Sequence, residues 1–290
     1  MTVLEAIQKS ADFLAKKGVE SARLQAELLL AHQLGQPRMK LYLNFDRVLT
    51  ADETDGLREL VKRRGNREPL QHITGSTSFQ GHEIGVSRHA LVPRPETELL
   101  AELGCEFLRA TQAPTPTALD FGTGTGCIAI TLAAKCPGAS ITALDLSPDA
   151  LALARQNALK NLVAERIQFC LGDGFCALKS AAAINVSPRQ FDLIISNPPY
   201  IASAEIETLE PEVKDFDPRA ALDGGPDGLG FYRRLAAEAP EFLRPGGKIM
   251  VEFGDGQADA IKTIFENGKW IVESIQEDYS QRARILIASR

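Results

Sequence analysis

Residues 117–134 read TALDFGTGTGCIAITLAA. An apolar run ending at Phe121 breaks into a glycine loop and resumes with the apolar spacing of a helix, the order of a nucleotide-binding strand–loop–helix unit. Glycines at positions 122, 124 and 126 leave no Cβ between the backbone and a ligand. A dinucleotide fingerprint needs its third glycine one place later, where this chain has Cys127, so the pattern is GxGxG and NAD is disfavoured. A helix opening near Gly126 turns free N–H groups toward a carboxylate. The candidate binding loop is Gly122, Thr123, Gly124, Thr125 and Gly126; a plain glycine turn is the alternative.

The next apolar run, SITALD, ends at Asp145. Its distance from the loop, about 20 residues, is where an acid takes the two ribose hydroxyls of an adenosine. Asp145 also suits a cap or turn, because Ser147, Pro148 and Asp149 follow it as a helix start. After the run RIQFC, residues 166–170, come Leu171, Gly172, Asp173 and Gly174. Asp173 is a candidate acceptor for an adenine amino group, with Gly174 beside it.

A fourth run, FDLIIS, leads into Asn197-Pro198-Pro199-Tyr200. The two prolines pin φ and lack N–H groups, so the chain leaves the strand stiff and presents carbonyl acceptors. The side-chain oxygen of Asn197 together with the Pro198 carbonyl can hold both hydrogens of a planar NH₂, with the Tyr200 ring against its face. Such acceptors also stabilise the positive charge that forms on a nitrogen as it is alkylated. Two prolines that merely end a strand are the bland alternative. Loop, ribose acid, adenine acid and NPPY thus stand at the ends of four successive strands, where open parallel sheets bind ligands.

Taken in this order, GTGTG, Asp145, Asp173 and NPPY resemble a class I S-adenosylmethionine-dependent methyltransferase acting on planar nitrogens. PRPETE at residues 93–98 and PEVKDFDPRAALDGGPDGLGFYRRL at residues 211–235 narrow the resemblance to the HemK/PrmC family, over nearly the whole chain. The resemblance implies transfer of a methyl group to the side-chain amide of the glutamine in the Gly-Gly-Gln motif of peptide-chain release factors. It implies S-adenosyl-L-methionine as methyl donor and no metal. It makes Asn197, Pro198, Pro199 and Tyr200 the catalytic residues; Gly122, Thr123, Gly124, Thr125, Gly126, Asp145, Asp173, Gly174 and Asn197 would hold the donor. Asp217 stands where the family usually has a glutamate, and residues 278–288, DYSQRARILIA, lack a common glycine; both departures are expected to lie away from the site. The alternatives are a nucleic-acid amino-methyltransferase, a ribosomal-protein glutamine methyltransferase, and a non-catalytic adaptor that has kept the fold.

The rest of the chain fits. With 290 residues and 44% apolar content, it can bury a large core and carry a second small domain. A net charge of −6 gives no general pull toward nucleic acid, so no direct nucleic-acid substrate is expected. The five cysteines and four histidines form no CxxC pair or ligand cluster. Neither a membrane span nor a signal peptide is evident, and a cytoplasmic protein is expected.

Residues 1–72 read as a helical bundle for docking the substrate, with capping boxes opening at Thr2 and Thr50. Lys62, Arg63, Arg64 and Arg67 are either a solvated helix end or a surface for an RNA-shaped or acidic partner. Residues 73–92 read as a β-hairpin linker, and residues 93–290 as an α/β, Rossmann-like domain whose mostly parallel sheet ends in an antiparallel hairpin. The long connection at 202–230 is either a lid over the site or a surface insertion.

Overall fold

The computed structural model describes residues 1–182 and 190–290. They separate into two compact units, Met1–Ser76 with Glu210–Phe216, and Thr77–Leu209 with Asp217–Arg290.

The first unit is helical: α1 (Val3–Lys16), α2 (Ala22–Gln33), α3 (Met39–Tyr42), α4 (Ala51–Gly65) and α5 (Leu70–Thr74). Both expected capping boxes form. Thr2 accepts the Glu5 N–H while Glu5 accepts the Thr2 N–H, and Thr50 and Glu53 repeat the exchange at α4. Helical spacing brings Val3, Ile7 and Leu14 of α1 against Leu29 and Leu30 of α2 and Leu57 and Val61 of α4.

In the basic cluster at the end of α4 and just beyond it, Lys62 and Arg63 are exposed, while the arginines meet acids of the same chain. Arg64 is buried, with Nη2 2.8 Å from Glu212 Oε1. Arg67 reaches the same oxygen at 2.6 Å and Glu210 Oε2 at 2.6 Å, and Arg63 pairs with Glu68. These three cations are bound by carboxylates of their own chain. Burial alone would raise the Glu212 pKa, but the hydrogen bonds from Arg67 and Arg64 bring it below its ordinary value. Two acids of the 202–230 connection thus belong to the helical unit's structure.

In the second unit, β1 (Ser76–Phe79, all but Ser76 within this unit) and β2 (His82–Gly85) form a hairpin. Its turn residues Gln80 and Gly81 both have positive φ, 50° and 83°, matching the twist of a two-residue turn. Next come α6 (Pro95–Ala110), β3 (Thr117–Phe121), α7 (Cys127–Lys135), β4 (Ser140–Asp145), α8 (Pro148–Lys160), β5 (Ile167–Leu171) and α9 (Phe175–Ala182). They are followed by β6 (Phe191–Ser196), β7 (Leu243–Glu252), β8 (Ile271–Glu277) and β9 (Ala283–Ser289).

The sheet runs β5-β4-β3-β6-β7-β9-β8. Strands β3 to β7 pair in parallel, and β9 is antiparallel to both β7 and β8. Every residue of β3 and of β6 is buried, because helices cover both sheet faces. Alternate side chains go to opposite layers: Leu193 and Ile195 pack with Leu100 and Leu132, and Ile194 packs with Leu119, Val251 and Phe175. Truncating Leu119 to alanine is expected to cost about 2–5 kcal/mol, the range for a fully buried leucine. From β3 the chain steps outward through β4 and β5, then returns to β6 on β3's other side. That reversal opens a crevice at the carboxyl ends of β3, β4 and β6.

Candidate functional site

A cavity of about 310 Å³ lies in that crevice, wholly within the second unit. The glycine loop forms one wall. Gly122, Gly124 and Gly126 have φ of 76°, 54° and 82°, values that side chains rarely adopt. The Gly122 and Thr123 amides both donate to the Leu144 carbonyl at 2.9 Å, tying the loop to the end of β4. A Cβ at Gly122 would meet no protein atom within 4 Å, whereas one at Gly126 would stand 3.0 Å from the Ala154 Cβ. Gly122 therefore leaves room beside the cavity, and Gly126 lets α7 and α8 pack closely.

Asp145 is held by backbone on both oxygens, Oδ2 accepting the Gly124 N–H at 2.8 Å and Oδ1 the Ser147 N–H at 2.9 Å. It lines the cavity, as do Gly122, Thr123, Gly124 and Thr125. Ser147 caps α8 by accepting the Ala150 N–H at 3.2 Å. Asp173 and Gly174 also line the cavity, but Asp173 is exposed and its Oδ1 is engaged by Arg234. The sequence reading missed Arg234, which lies 61 residues further along the chain.

At the end of β6, Asn197 and Pro199 line the cavity; Pro198, Tyr200 and Gly126 are not among its lining residues. The Asn197 Nδ2–H donates to Thr97 Oγ1 at 3.0 Å, which leaves the Oδ1 arm as the acceptor. The Tyr200 ring packs against Gly254, where a Cβ would come within 2.9 Å of its Cδ2. The Tyr200 carbonyl accepts the Gln257 Nε2–H at 2.9 Å.

PRPETE supplies further lining. Pro95 opens α6, where its missing N–H costs nothing, and Thr97 and Arg94 line the cavity. Arg94 Nη2 lies 2.9 Å from Oδ2 of the buried Asp217. Burial pushes the Asp217 carboxyl up to about 6 despite that cation. Asp217 does not itself line the cavity, but it anchors a residue that does.

Asp120 carries a signal the sequence reading passed over, an acid inside an otherwise apolar strand. Its Oδ2 accepts from Thr123 Oγ1 at 2.6 Å and from the Ala129 N–H at 3.1 Å, bracing the loop against the first turn of α7. Burial pushes its carboxyl up to about 7. Such a cavity suits a ligand with a polar end at the loop and Asp145, and an apolar body facing Phe121, Ile128 and Leu144. Asn197, with its acceptor arm, lines the same cavity. No group of histidine, cysteine, aspartate and glutamate with metal-holding geometry occurs among the described residues. Nor does any helix among them have the length and apolarity to cross a membrane.

Residues 5–75 match the PrmC N-terminal domain family, and residues 101–211 match the Methyltransferase small domain family. The chain is 45% identical over 265 residues to the Release factor glutamine methyltransferase of Geobacter sulfurreducens, covering 91% of this chain and 88% of the relative. It is 41% identical over 286 residues to the protein of that name from Chlorobaculum tepidum, covering 98% and 95%. Among solved structures, the hMettl16 catalytic domain in complex with MAT2A 3′UTR hairpin 6 aligns with a TM-score of 0.52 at 16% identity, over 72% of this chain and 76% of that one. That last likeness is one of fold alone.

Proposed function

The chain belongs to the release factor glutamine methyltransferase family, and we infer from that premise that it methylates the side-chain amide nitrogen of the glutamine in the Gly-Gly-Gln motif of a peptide-chain release factor. S-adenosyl-L-methionine supplies a sulfonium-bound methyl group for in-line displacement. The observation that carries this reading is that Gly122, Thr123, Gly124, Thr125, Asp145 and Asn197 line one cavity together. The open space beside Gly122 and the apolar wall at Phe121 and Leu144 fit an adenosyl group.

In this reading Asp145 takes the ribose hydroxyls from a carboxylate already fixed by two amides, and the start of α7, rather than the Gly122, Thr123 and Gly124 amides that are already engaged, faces the amino-acid end. Asp173 and Gly174 border the adenine. Asn197 Oδ1 and the Pro198 carbonyl accept the amide hydrogens of the substrate glutamine. An amide nitrogen is a poor nucleophile because its lone pair is delocalised, so acceptors aimed at its hydrogens matter most as positive charge forms there. No strong base is needed, since the proton can leave after transfer, and alignment alone can supply about 7–11 kcal/mol. The helical unit, with its match to the PrmC N-terminal domain family, is proposed to dock the body of the release factor.

The test is transfer from labelled S-adenosylmethionine to purified release factor, ribosomal protein and DNA in parallel. Label confined to the release factor, and lost when its motif glutamine is replaced, is the expected result. Label on ribosomal protein or DNA in its place would overturn the substrate assignment.

A further inference from the structure

Arg234 lies on the helix Gly230–Glu238 and lines the cavity beside Asp173 and Gly174. A guanidinium has five N–H donors in a planar fork. Here Nε donates to Glu238 Oε1 at 3.2 Å, Nη1 to Asp173 Oδ1, and Nη2 to the Asp173 carbonyl at 3.1 Å. Three donors are thereby used, and two, one on each terminal nitrogen, have no protein acceptor among the described residues. Arg234 is likewise the one side chain among them that donates to the Asp173 carboxylate.

Gly174 makes this approach possible. A Cβ there would stand 2.4 Å from Nη2 and 2.7 Å from Cζ of Arg234, closer than a real side chain comes. The guanidinium therefore occupies the space that a side chain at position 174 would need. Held at two atoms of Asp173 and by Glu238, the fork keeps its orientation with little further loss of freedom. The same two acids balance its charge, so it is no obstacle to a positively charged sulfonium ligand.

The pairing edge of adenine has a donor, the amino group, beside an acceptor, the ring nitrogen N1. A carboxylate next to a guanidinium N–H is the complement of that edge, an acceptor beside a donor. In the deaminated purine the exocyclic oxygen accepts and N1 carries hydrogen. Both protein groups would then face the wrong partner and stay unpaired.

We propose that Arg234 reads the adenine edge together with Asp173, Asp173 accepting from the amino group and a spare Arg234 N–H donating to N1, so that the pair selects an adenosyl donor. The proposal rests on the reading of the cavity as the S-adenosylmethionine site.

The test is calorimetric binding of S-adenosylhomocysteine and its deaminated counterpart, S-inosylhomocysteine, to wild type, Arg234→Met and Arg234→Gln. Wild type should prefer the adenosyl compound about 10- to 100-fold, the scale of hydrogen bonds to charged groups left unmade. Arg234→Met keeps the stem and removes the donors; it should cut that preference by about tenfold while hardly changing affinity for the inosyl compound. Arg234→Gln keeps an N–H and should retain more of the preference than methionine does. Equal binding of the two compounds by wild type would overturn the proposal whatever the variants do. So would a folded Arg234→Met protein that loses affinity for both compounds alike, which would leave Arg234 as a brace for the turn. Failure of wild type to bind S-adenosylhomocysteine at all would instead sink the reading of the cavity.

Discussion

Asp145 and Gly124 meet across the cavity wall, the carboxylate Oδ2 accepting the loop amide at 2.8 Å. One acid at the end of β4 thereby holds the glycine loop at the end of β3. Replacing Asp145 with alanine is expected to weaken S-adenosylmethionine binding by about 1–3 kcal/mol, the scale of losing hydrogen bonds to a charged group. Calorimetry on the folded variant checks this; unchanged affinity would remove Asp145 from the site.

Asn197→Ala should raise the barrier by about 2.7–4 kcal/mol, by analogy with the loss of one preorganised hydrogen-bonding group, while donor affinity persists. Asn197→Asp keeps an oxygen and nearly the same shape, so it should retain more activity than alanine. Single-turnover transfer to release factor measures both, and wild-type rates in the alanine variant would dispose of the acceptor argument.

Asp120 offers a stability test with a definite sign. Its folded carboxyl titrates at about 7, above its ordinary 3.8, so the native state binds this proton more tightly than the unfolded chain does. The contribution is fully present below the ordinary value and is lost as pH rises through about 7. Urea midpoints between about pH 5 and pH 8 should therefore fall more with rising pH in wild type than in Asp120→Asn. Equal slopes would show that Asp120 keeps its charge throughout.

Glu212→Ala leaves the buried Arg64 without its carboxylate and should destabilise the helical unit by about 1–3 kcal/mol. Because the Glu212 pKa is lowered in the fold, its stabilisation is present above the ordinary carboxylate range and lost as pH falls through the folded value. Denaturation followed by helical circular dichroism measures the loss, with Glu212→Gln expected to fall between alanine and wild type.

A fragment beginning at Thr77 keeps every residue that lines the cavity. It should bind S-adenosylmethionine yet methylate intact release factor poorly, and trypsin should cut it readily at Lys214, where Glu210 and Glu212 have lost Arg64 and Arg67. Full activity on intact release factor would refute a docking role for the helical unit.

Local rules sufficed for much of this protein. Glycines at 122, 124 and 126 after an apolar run, an acid ending the next run, and two prolines after a fourth are all near-neighbour patterns, so strand, loop and helix could be placed from the sequence, as could both capping boxes. Other assignments needed the folded chain. Arg64 and Glu212 are separated by 148 positions, Arg94 and Asp217 by 123, and Asn197 and Thr97 by 100. A charge run on one helix looks solvated until the chain returns with acids to meet it. Equally, the arm that Asn197 turns toward the start of α6 is met by a threonine 100 positions away. Burial is likewise a tertiary property, and it is the main cause that pushes the Asp120 carboxyl up to about 7.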